Sequence, residues 1–220
     1  MPDAANALES EGCVWFRGAL SETKLRALDP ICALGSAPGA RIAPAPDLIA
    51  ALAPVDRLAQ SLLAGARPVR VVAFNKTEAA NWALPWHQDR VIAVRERVET
   101  PGFVNWTRKS GVWHVEPPIG LLERMLFLRV HLDAADVESA CLVVATGSHS
   151  RGKVPDDRAE GIASAAVTEQ CIAQRGDVLA AKALILHRSG ASRRPTSRRA
   201  IRIDYSAEQL QAPLQWEFST

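Results

Sequence analysis

The sequence predicts a mainly β fold preceded by helices. Helical spacing of apolar residues is confined to the first part of the chain, whereas later segments are short and β-branched, with turn residues at intervals of about ten. Such strands are typical of a sandwich or barrel. A chain of 220 residues, 48% of them hydrophobic, can form one domain with a sizeable core. We therefore expect a single domain over residues 1–220, with a helical part at about 20–65 and a β core at about 68–206.

The helical part is predicted from capping residues and apolar spacing. Ser21 is suited to an N-cap, and residues 22–34 have the spacing of an amphipathic helix. Residues 35–46 are rich in Gly, Ala and Pro and are predicted to form a loop. Residues 47–63 again have helical spacing, and Pro54 is suited to the first position of a second helix there.

The predicted strands are short apolar or β-branched runs bounded by turn residues. They are residues 14–16, 69–74, 121–132, 141–145, 167–173, 178–181, 183–187 and 200–205. Gly176-Asp177 has the composition of a hairpin turn between two of these strands. Residues 90–118 form a long insertion whose beginning, 90–99, is predicted as a short helix or an irregular loop. A short helix is also expected within the loop 154–163.

Charge and composition exclude several classes of protein. The net charge is +2, which gives no strong field for nucleic acid, and no apolar run is long enough to span a bilayer. Residues 1–12 lack the basic and apolar regions of a signal peptide. The four cysteines form no C-x-x-C pair and are predicted to be buried free thiols. We expect a cytoplasmic protein that binds a small molecule, not nucleic acid or a membrane, as a monomer or homodimer.

A histidine and a carboxylate two residues apart form the first candidate metal motif. Residues i and i+2 of an extended segment face the same side, so His87 and Asp89 can reach one metal ion. His187, far downstream, can supply a third ligand. Two histidines and one carboxylate leave metal positions open, which is typical of non-haem Fe(II) oxygenases.

A second H-x-D motif, His131-Leu132-Asp133, competes with the first. In a double-stranded jelly roll the paired ligands lie on the second core strand and the distal histidine on the seventh, so four strands lie between them. Four predicted strands separate Asp89 from His187, but only three separate Asp133 from His187. The first motif is therefore favoured, and His131 is interpreted as a strand histidine bonded to a neighbouring carboxylate.

The downstream motif also contains a candidate carboxylate anchor. His187 is predicted to end the strand 183–187, and Ser189 can share its face. Arg198 follows His187 by eleven residues, after a predicted turn at 193–197 that contains Pro195. A hairpin would return Arg198 to His187, where its guanidinium could hold a carboxylate through a bidentate pair.

These motifs resemble those of the phytanoyl-CoA dioxygenase family of Fe(II)/2-oxoglutarate-dependent oxygenases. The resemblance rests on His87-Gln88-Asp89, on His187-x-Ser189-Gly190 and on Arg198 at the family's spacing. Residues 12–20 and 142–150 are also similar to the family. Arg188 departs from the pattern, because glycine usually follows the distal histidine, and its side chain could crowd or recharge the mouth of the site.

The resemblance implies a cupin-like fold, a double-stranded β-helix or jelly roll, with Fe(II), 2-oxoglutarate and O2 as cofactor and cosubstrates. It implies that His87, Asp89 and His187 bind iron, and that Arg198 and Ser189 bind the 2-oxoglutarate carboxylate. A polar residue before the H-x-D motif often assists in the family, for which Asn75 is the first candidate and Lys76 the second.

The implied activity is hydroxylation of a C–H bond in a small metabolite, with release of succinate and CO2. One alternative is a cupin-like metal protein without oxygenase activity, such as an isomerase, a hydrolase or a pseudo-enzyme, although such a protein has no need of Arg198 and Ser189 as a carboxylate anchor. A nucleic-acid binder is a second alternative, but strand alternation would divide the basic run 193–202 between two faces.

The insertion 90–118 is predicted to be a substrate lid, because it directly follows the metal-binding strand and contains apolar side chains to bury. A loop that packs for stability alone is the alternative. Its excess of basic groups favours a substrate with a carboxylate or phosphate. The candidate substrate-binding residues in and around it are Trp86, Arg90, Arg95, Trp106, Trp113, His114 and Arg129.

Overall fold

The computed structural model describes residues 2–34, 39–194 and 197–218. Residues 35–38 of the predicted loop and Pro195 of the predicted turn lie outside these ranges. The helices are α1 (Pro2–Glu11), α2 (Glu22–Leu28), α3 (Pro46–Leu62), α4 (Ile119–Glu123) and α5 (Asp156–Ser164), with 3-10 turns at Asp29–Leu34 and Ser148–Arg151. None of the helices in the described ranges has the length and apolar character required to cross a membrane.

The strands are β1 (Cys13–Phe16), β2 (Ala40–Arg41), β3 (Arg67–Lys76), β4 (Leu84–His87), β5 (Ile92–Val94), β6 (Val104–Lys109), β7 (Val112–Glu116), β8 (Leu126–His131), β9 (Leu142–Ala145), β10 (Thr168–Gln170), β11 (Val178–Lys182), β12 (His187–Ser189) and β13 (Arg198–Ser206).

Two antiparallel sheets form the predicted jelly roll. The larger sheet has the order β1-β11-β8-β13-β3-β2, and the smaller one has the order β10-β9-β12-β4. Eight strands, β3, β4 and β8 to β13, are divided between the sheets as in a double-stranded β-helix. Four of them, β8 to β11, lie between the strand of His87 and the strand of His187, which confirms the strand count made from the sequence.

Alternation along the strands gives the larger sheet two different faces. On β8, Leu128 and Val130 pack into the main hydrophobic core together with α2 and α3. Phe127 and Arg129 point to the opposite face and line a cavity between the two sheets. The apolar face buries the area that stabilises the fold, which leaves the inner face free to carry polar side chains.

Both predicted helices differ from the prediction at a proline. The helix predicted over 22–34 is α-helical only to Leu28 and continues as a 3-10 turn, because Pro30 lacks the N–H that the next α-helical bond needs. Pro54 does not begin a second helix, since α3 continues through it and has Pro46 in its first turn. Burial of Leu52 and Val55 on either side holds the helix together at that point.

Two predicted strands were placed wrongly. The segment 121–132 begins with α4, and β8 starts only at Leu126. The apolar run 183–186 forms a turn. His187, which was predicted to end a strand, begins β12. Leu184, Ile185 and Leu186 are apolar because each packs into a different hydrophobic cluster as the chain crosses between the sheets.

Gly176-Asp177 forms a turn, but it is not the predicted hairpin, because β10 and β11 belong to different sheets. Gly176 has a φ of 93°, and the carbonyl oxygen of Leu20 lies 2.7 Å from where a Cβ would be. Asp177 accepts hydrogen bonds from the backbone N–H of Gly18 (2.7 Å) and of Gln174 (3.0 Å). The turn therefore fixes the N-terminal segment against the sheet.

The insertion is neither a helix nor an irregular loop. Its strands form a third antiparallel sheet of order β5-β7-β6, which packs with the C-terminal segment around Trp216. Ser110 and Gly111, both with positive φ, make the two-residue turn between β6 and β7. The sequence also gave no indication of α1, whereas the prediction of buried free cysteines is confirmed for all four.

Candidate metal centre and its cavity

The two sheets bring three potential metal ligands together. His87 ends β4, Asp89 follows two residues later, and His187 begins β12. His87 and His187 are direct partners in the β4–β12 ladder, with ring centroids 4.3 Å apart. One ligand atom from each of the three residues lies within 4.8 Å of the others, so the cluster could hold a metal ion.

Backbone carbonyls fix the tautomer of both histidines. His87 Nδ1 donates to the carbonyl of Pro85 (2.7 Å), and His187 Nδ1 donates to that of Ile185 (3.0 Å). Because a carbonyl only accepts, the proton lies on Nδ1 and the Nε2 lone pair is free for a metal. Burial, followed by the neighbouring His187, lowers the pKa of His87 and favours the neutral ring that metal binding requires.

Asp89 is held ionised by an arginine. Burial alone would raise the pKa of Asp89, but its ion pair with Arg202 and smaller contributions from His187 and Arg70 hold that pKa well below its usual value. Arg202 Nε also donates to Asp204 (2.7 Å), which in turn pairs with Arg70. This network leaves Asp89 as a carboxylate with its charge directed at the histidines.

The second H-x-D motif has different partners. Asp133 accepts hydrogen bonds from the backbone N–H (2.8 Å), Nε (2.9 Å) and Nη2 (2.7 Å) of Arg199, away from the cluster. His131 is buried beside Trp15, and its Nε2 has no hydrogen-bond partner in the part of the chain that the structure describes. The interpretation of His131 as bonded to a neighbouring carboxylate is therefore wrong, although the structure does not bring it to the three ligands either.

A cavity of about 300 Å³ opens beside the candidate metal ligands. Its apolar walls include Phe74, Phe127 and Leu142. Among the described residues that line it, seven are basic and Asp89 is the one acidic residue. The basic residues are Arg41, Arg70, Lys109, Arg129, Arg188, Arg198 and Arg202. The cavity therefore carries an excess of positive charge.

Arg198 is placed in this cavity as the resemblance implied. It begins β13, is 4% exposed, and its Nε and Nη1 have no hydrogen-bond partner among the described residues. Burial lowers the pKa of Arg198. Ser189 lines the same wall. Burying a guanidinium without a counterion costs free energy. Arg198 is therefore suited to bind an anion that does not belong to the chain.

The two polar candidates on β3 lie on opposite faces. Asn75 does not line the cavity, and its Oδ1 accepts a hydrogen bond from Ser197 (2.9 Å) on the outer side. Lys76 lies opposite Arg198, but its Nζ donates to the carbonyls of Trp82 (2.7 Å) and Gly190 (2.5 Å). Burial, followed by Arg198, lowers the pKa of Lys76 to about 8. Lys76 is therefore buried behind the wall that contains Ser189, to whose hydroxyl it donates, whereas the geometry does not support Asn75.

Of the seven predicted substrate residues, only Arg129 lines the cavity. Arg90 is held by Asp156 and by the carbonyl of Val154, and Arg95 donates to Gln215 (2.8 Å). Trp86 packs against the opposite side of β4, in the cluster that includes α5. The described structure thus places these three side chains outside the cavity that contains the metal ligands.

The aromatic residues of the insertion pack within the third sheet. Trp106 and Trp113 pack edge to face, with ring centroids 6.5 Å apart, on the third sheet. His114 is fully buried, and its Nδ1 donates to the carbonyl of Val112 (3.1 Å). None of the three lines the cavity. The part of the insertion that reaches the cavity is instead Lys109, at the tip of the β6–β7 hairpin.

Sequence reasoning missed Arg41, Arg70 and Lys109 as cavity residues. A fourth cavity residue, Arg202, could have been predicted from the sequence, because it lies four residues after Arg198 on one strand and therefore on the same face. Arg41 carried no local signal, since β2 is a two-residue strand that reaches the cavity only by pairing with β3.

The fold is similar to those of several solved structures. The fold resembles AviO1 from Streptomyces viridochromogenes (TM-score 0.65, 18% identity, 93% of this chain and 94% of that one). It also resembles SnoK, a non-haem alpha-ketoglutarate-dependent carbocyclase from nogalamycin biosynthesis (0.67, 16%, 93% and 82%). A third similar structure is EctD from S. alaskensis with bound Fe (0.69, 16%, 97% and 79%).

At these identities the structural likeness shows the fold alone. No curated protein matches the chain. The family model of phytanoyl-CoA dioxygenase (PhyH) matches residues 45–200, more than two thirds of the chain, and this match includes the three candidate ligands and Arg198. Residues 12–20, whose sequence also resembles the family, lie before the matched range. The chain therefore belongs to the phytanoyl-CoA dioxygenase (PhyH) family.

Proposed function

We propose that this protein is an Fe(II)- and 2-oxoglutarate-dependent dioxygenase that oxidises a C–H bond of a small anionic metabolite. The observation that carries the proposal is the position of the unpaired, buried Arg198 in the same cavity as His87, Asp89 and His187. Membership of the phytanoyl-CoA dioxygenase family and the likeness to a carbocyclase described as alpha-ketoglutarate-dependent support it.

The residues present fit Fe(II). Two neutral histidines with free Nε2 atoms and one ionised carboxylate are a donor set that non-haem iron uses with open coordination positions. Bound there, Fe(II) and 2-oxoglutarate supply the oxidising power: substrate, O2 and 2-oxoglutarate give oxidised product, succinate and CO2. The carbonyls of Pro85 and Ile185 keep the two rings oriented for this role.

The residues of the cavity wall fit 2-oxoglutarate. In our proposal the guanidinium of Arg198 pairs with the carboxylate of the oxo acid that is remote from the metal, and the Ser189 hydroxyl adds a hydrogen bond. Lys76 donates to Ser189 Oγ (3.4 Å) and so holds this hydroxyl in place. Phe74, Phe127 and Leu142 make the surrounding wall apolar, which strengthens a buried charge pair by excluding water.

The charge of the cavity favours an anionic substrate. Fe(II) and the two carboxylates of 2-oxoglutarate carry no net charge together, so they leave the excess of positive charge in place. Arg70 and Arg202 are paired with Asp204. Arg41 is half-buried; its Nη1 donates to the carbonyl of Gly39, but its Nε has no partner among the described residues. Lys109 belongs to the same cavity lining. We propose that Arg41 and Lys109 bind a carboxylate or phosphate of the substrate.

An anaerobic titration tests the proposal. Protein loaded with Fe(II) is expected to develop a weak visible charge-transfer band when 2-oxoglutarate is added, and to release succinate in a screen of anionic metabolites under O2. Products are identified by mass, because a cyclised product, as expected of a carbocyclase, differs from a hydroxylated one. Metal binding without any effect of 2-oxoglutarate would favour instead a cupin-like metal protein that is an isomerase, a hydrolase or a pseudo-enzyme.

A further inference from the structure

We propose that Arg129 is a second anchor for the distal carboxylate of the oxo acid, so that the cavity selects 2-oxo dicarboxylates over 2-oxo monocarboxylates. This inference rests on the proposed function. It changes the role of Arg129, which the sequence suggested as a substrate residue, into a residue that binds the same cosubstrate carboxylate as Arg198.

Arg129 is buried without a counterion. It is 6% exposed, its Nε has no hydrogen-bond partner, and it forms no ion pair within the part of the chain that the structure describes. Its one marked contact is with the ring of Phe74, whose centroid lies 5.0 Å from the guanidinium carbon. Stacking on an aromatic ring offsets only part of the cost of burying a charge, so the arrangement is suited to an incoming anion.

The contact with Phe74 shows that the Arg129 side chain extends toward the Arg198 end of β13. Arg129 lies opposite Arg202, the residue that pairs with Asp89. Its guanidinium nevertheless lies over Phe74, which is the partner of Ala200 on the other side of β13. The side chain therefore crosses β13 above Ala200, whose methyl group leaves room for it. This position is between the metal ligands and Arg198, along the path that a chelated oxo acid would follow.

The charges around this position repel one another until an anion binds. Burial, followed by the nearby Arg198, lowers the pKa of Arg129 to about 9. Lys76 and His131 are the other basic groups at this end, and His131 is kept neutral because burial, Arg129 and Arg198 lower its pKa to about 3. One carboxylate between the two guanidiniums would satisfy donors on both. Each guanidinium can present a pair of N–H groups to it.

The inference predicts selectivity that depends on the distal carboxylate alone. The probes are 2-oxoglutarate and 2-oxovalerate, which share a five-carbon chain and the chelating end but differ in the second carboxylate. Affinities are measured by anaerobic calorimetric titration into Fe(II)-loaded protein, so no turnover is needed. Arg129→Gln should weaken 2-oxoglutarate binding by at least about tenfold, with no comparable change for 2-oxovalerate.

Arg188→Gln is the control, because Arg188 follows His187 on β12 but its exposed guanidinium lies over the ring of Trp86, 5.1 Å from the ring centroid, on the face of the strand turned away from the metal ligands. It should leave the affinities for both oxo acids close to those of the wild type. Arg129→Lys keeps the charge but loses the planar pair of donors, and should fall between wild type and Arg129→Gln. Retained binding of Fe(II) and 2-oxovalerate shows that a variant is folded, and the lysine variant decides the question if the glutamine variant does not fold.

Two results would overturn the inference. Unchanged 2-oxoglutarate affinity in Arg129→Gln would mean that the cation stacks on Phe74 for structural reasons or binds the substrate. An equal loss of affinity for both oxo acids in Arg129→Gln would mean that Arg129 binds the chelating end of the oxo acid. The proposed function fails separately, when the wild-type protein binds neither oxo acid. If Arg198→Gln weakens 2-oxoglutarate binding but Arg129→Gln does not, the proposed function stands and only the second anchor is lost.

Discussion

His187 lies directly opposite His87 in the ladder between β4 and β12, and their ring centroids are 4.3 Å apart. Residues one hundred positions apart are thus fixed by the backbone hydrogen bonds of two neighbouring strands, and the carbonyls of Pro85 and Ile185 orient the rings. A site built in this way is held in place before any metal arrives, because neither ring has to rotate to expose its Nε2.

Replacement of any ligand should abolish the metal centre. His87→Ala, Asp89→Ala and His187→Ala each remove one of three donors, so each is expected to eliminate the charge-transfer band of the complex with Fe(II) and 2-oxoglutarate. The measurement is anaerobic absorption spectroscopy. His131→Ala is the control and should retain the band. Loss of the band in His131→Ala with retention in His87→Ala would transfer the site to the second H-x-D motif.

Arg198 should act on the oxo acid and not on the metal. Removing one partner of a desolvated charge pair costs about 2–5 kcal/mol, so Arg198→Ala should weaken 2-oxoglutarate binding by well over about tenfold while Fe(II) affinity stays nearly unchanged. Calorimetric titration measures both affinities. Arg199→Ala, one residue further on, is the matched control, because Arg199 pairs with Asp133 and Asp29 outside the cavity. An effect of equal size in both variants would argue against a specific anchor.

Arg41 should determine substrate affinity. Once the succinate screen has identified an anionic substrate, Arg41→Gln is expected to raise the KM for that substrate by about tenfold or more, because the substrate anion loses its pairing with a half-buried guanidinium. The affinity for 2-oxoglutarate should not change. Arg95→Gln serves as the control, because Arg95 lies in the insertion but is bonded to Gln215 away from the cavity. Loss of turnover in Arg95→Gln with none in Arg41→Gln would restore the predicted lid.

His131 should make the fold sensitive to acid. Burial, followed by Arg129 and Arg198, disfavours the charged ring and lowers the pKa of His131 from its ordinary 6.5 to about 3 in the folded protein. The unfolded chain therefore binds more protons between these two values, and folding stability falls as the pH drops from 6.5 toward 3. Between pH 7 and pH 4.5 this residue alone should lower the free energy of unfolding by about 2–3 kcal/mol.

Urea unfolding of the metal-free protein across that pH range measures the effect. The free energy of unfolding of His131→Leu should depend less steeply on pH than that of the wild type. The slopes are compared, not the stabilities at neutral pH, because the substitution also changes the packing against Trp15. Identical slopes for the two proteins would mean that folding does not lower the pKa of His131. The other buried histidines contribute equally to both proteins and cancel in the comparison.

Local patterns in the sequence determined which residues share a face. A strand has a period of two, so His87 with Asp89 and Arg198 with Arg202 could be assigned to common faces from spacing alone. The number of strands between the two halves of the metal motif was also available, because strand segments differ in composition from turns. These features depend on a few neighbouring residues, and the jelly roll with its candidate metal ligands could therefore be predicted.

Only the tertiary structure decided which side chains reach the cavity. The pairing of β2 with β3 brings in Arg41, and the hairpin of the insertion brings in Lys109 but turns Trp106 and Trp113 away. Apolar residues at 183–186 resembled a strand because they are buried, yet they form the turn before His187. Burial and strand pairing depend on contacts between segments that are distant in the sequence. A local pattern can indicate that a residue is buried, but it does not indicate which segment packs against that residue.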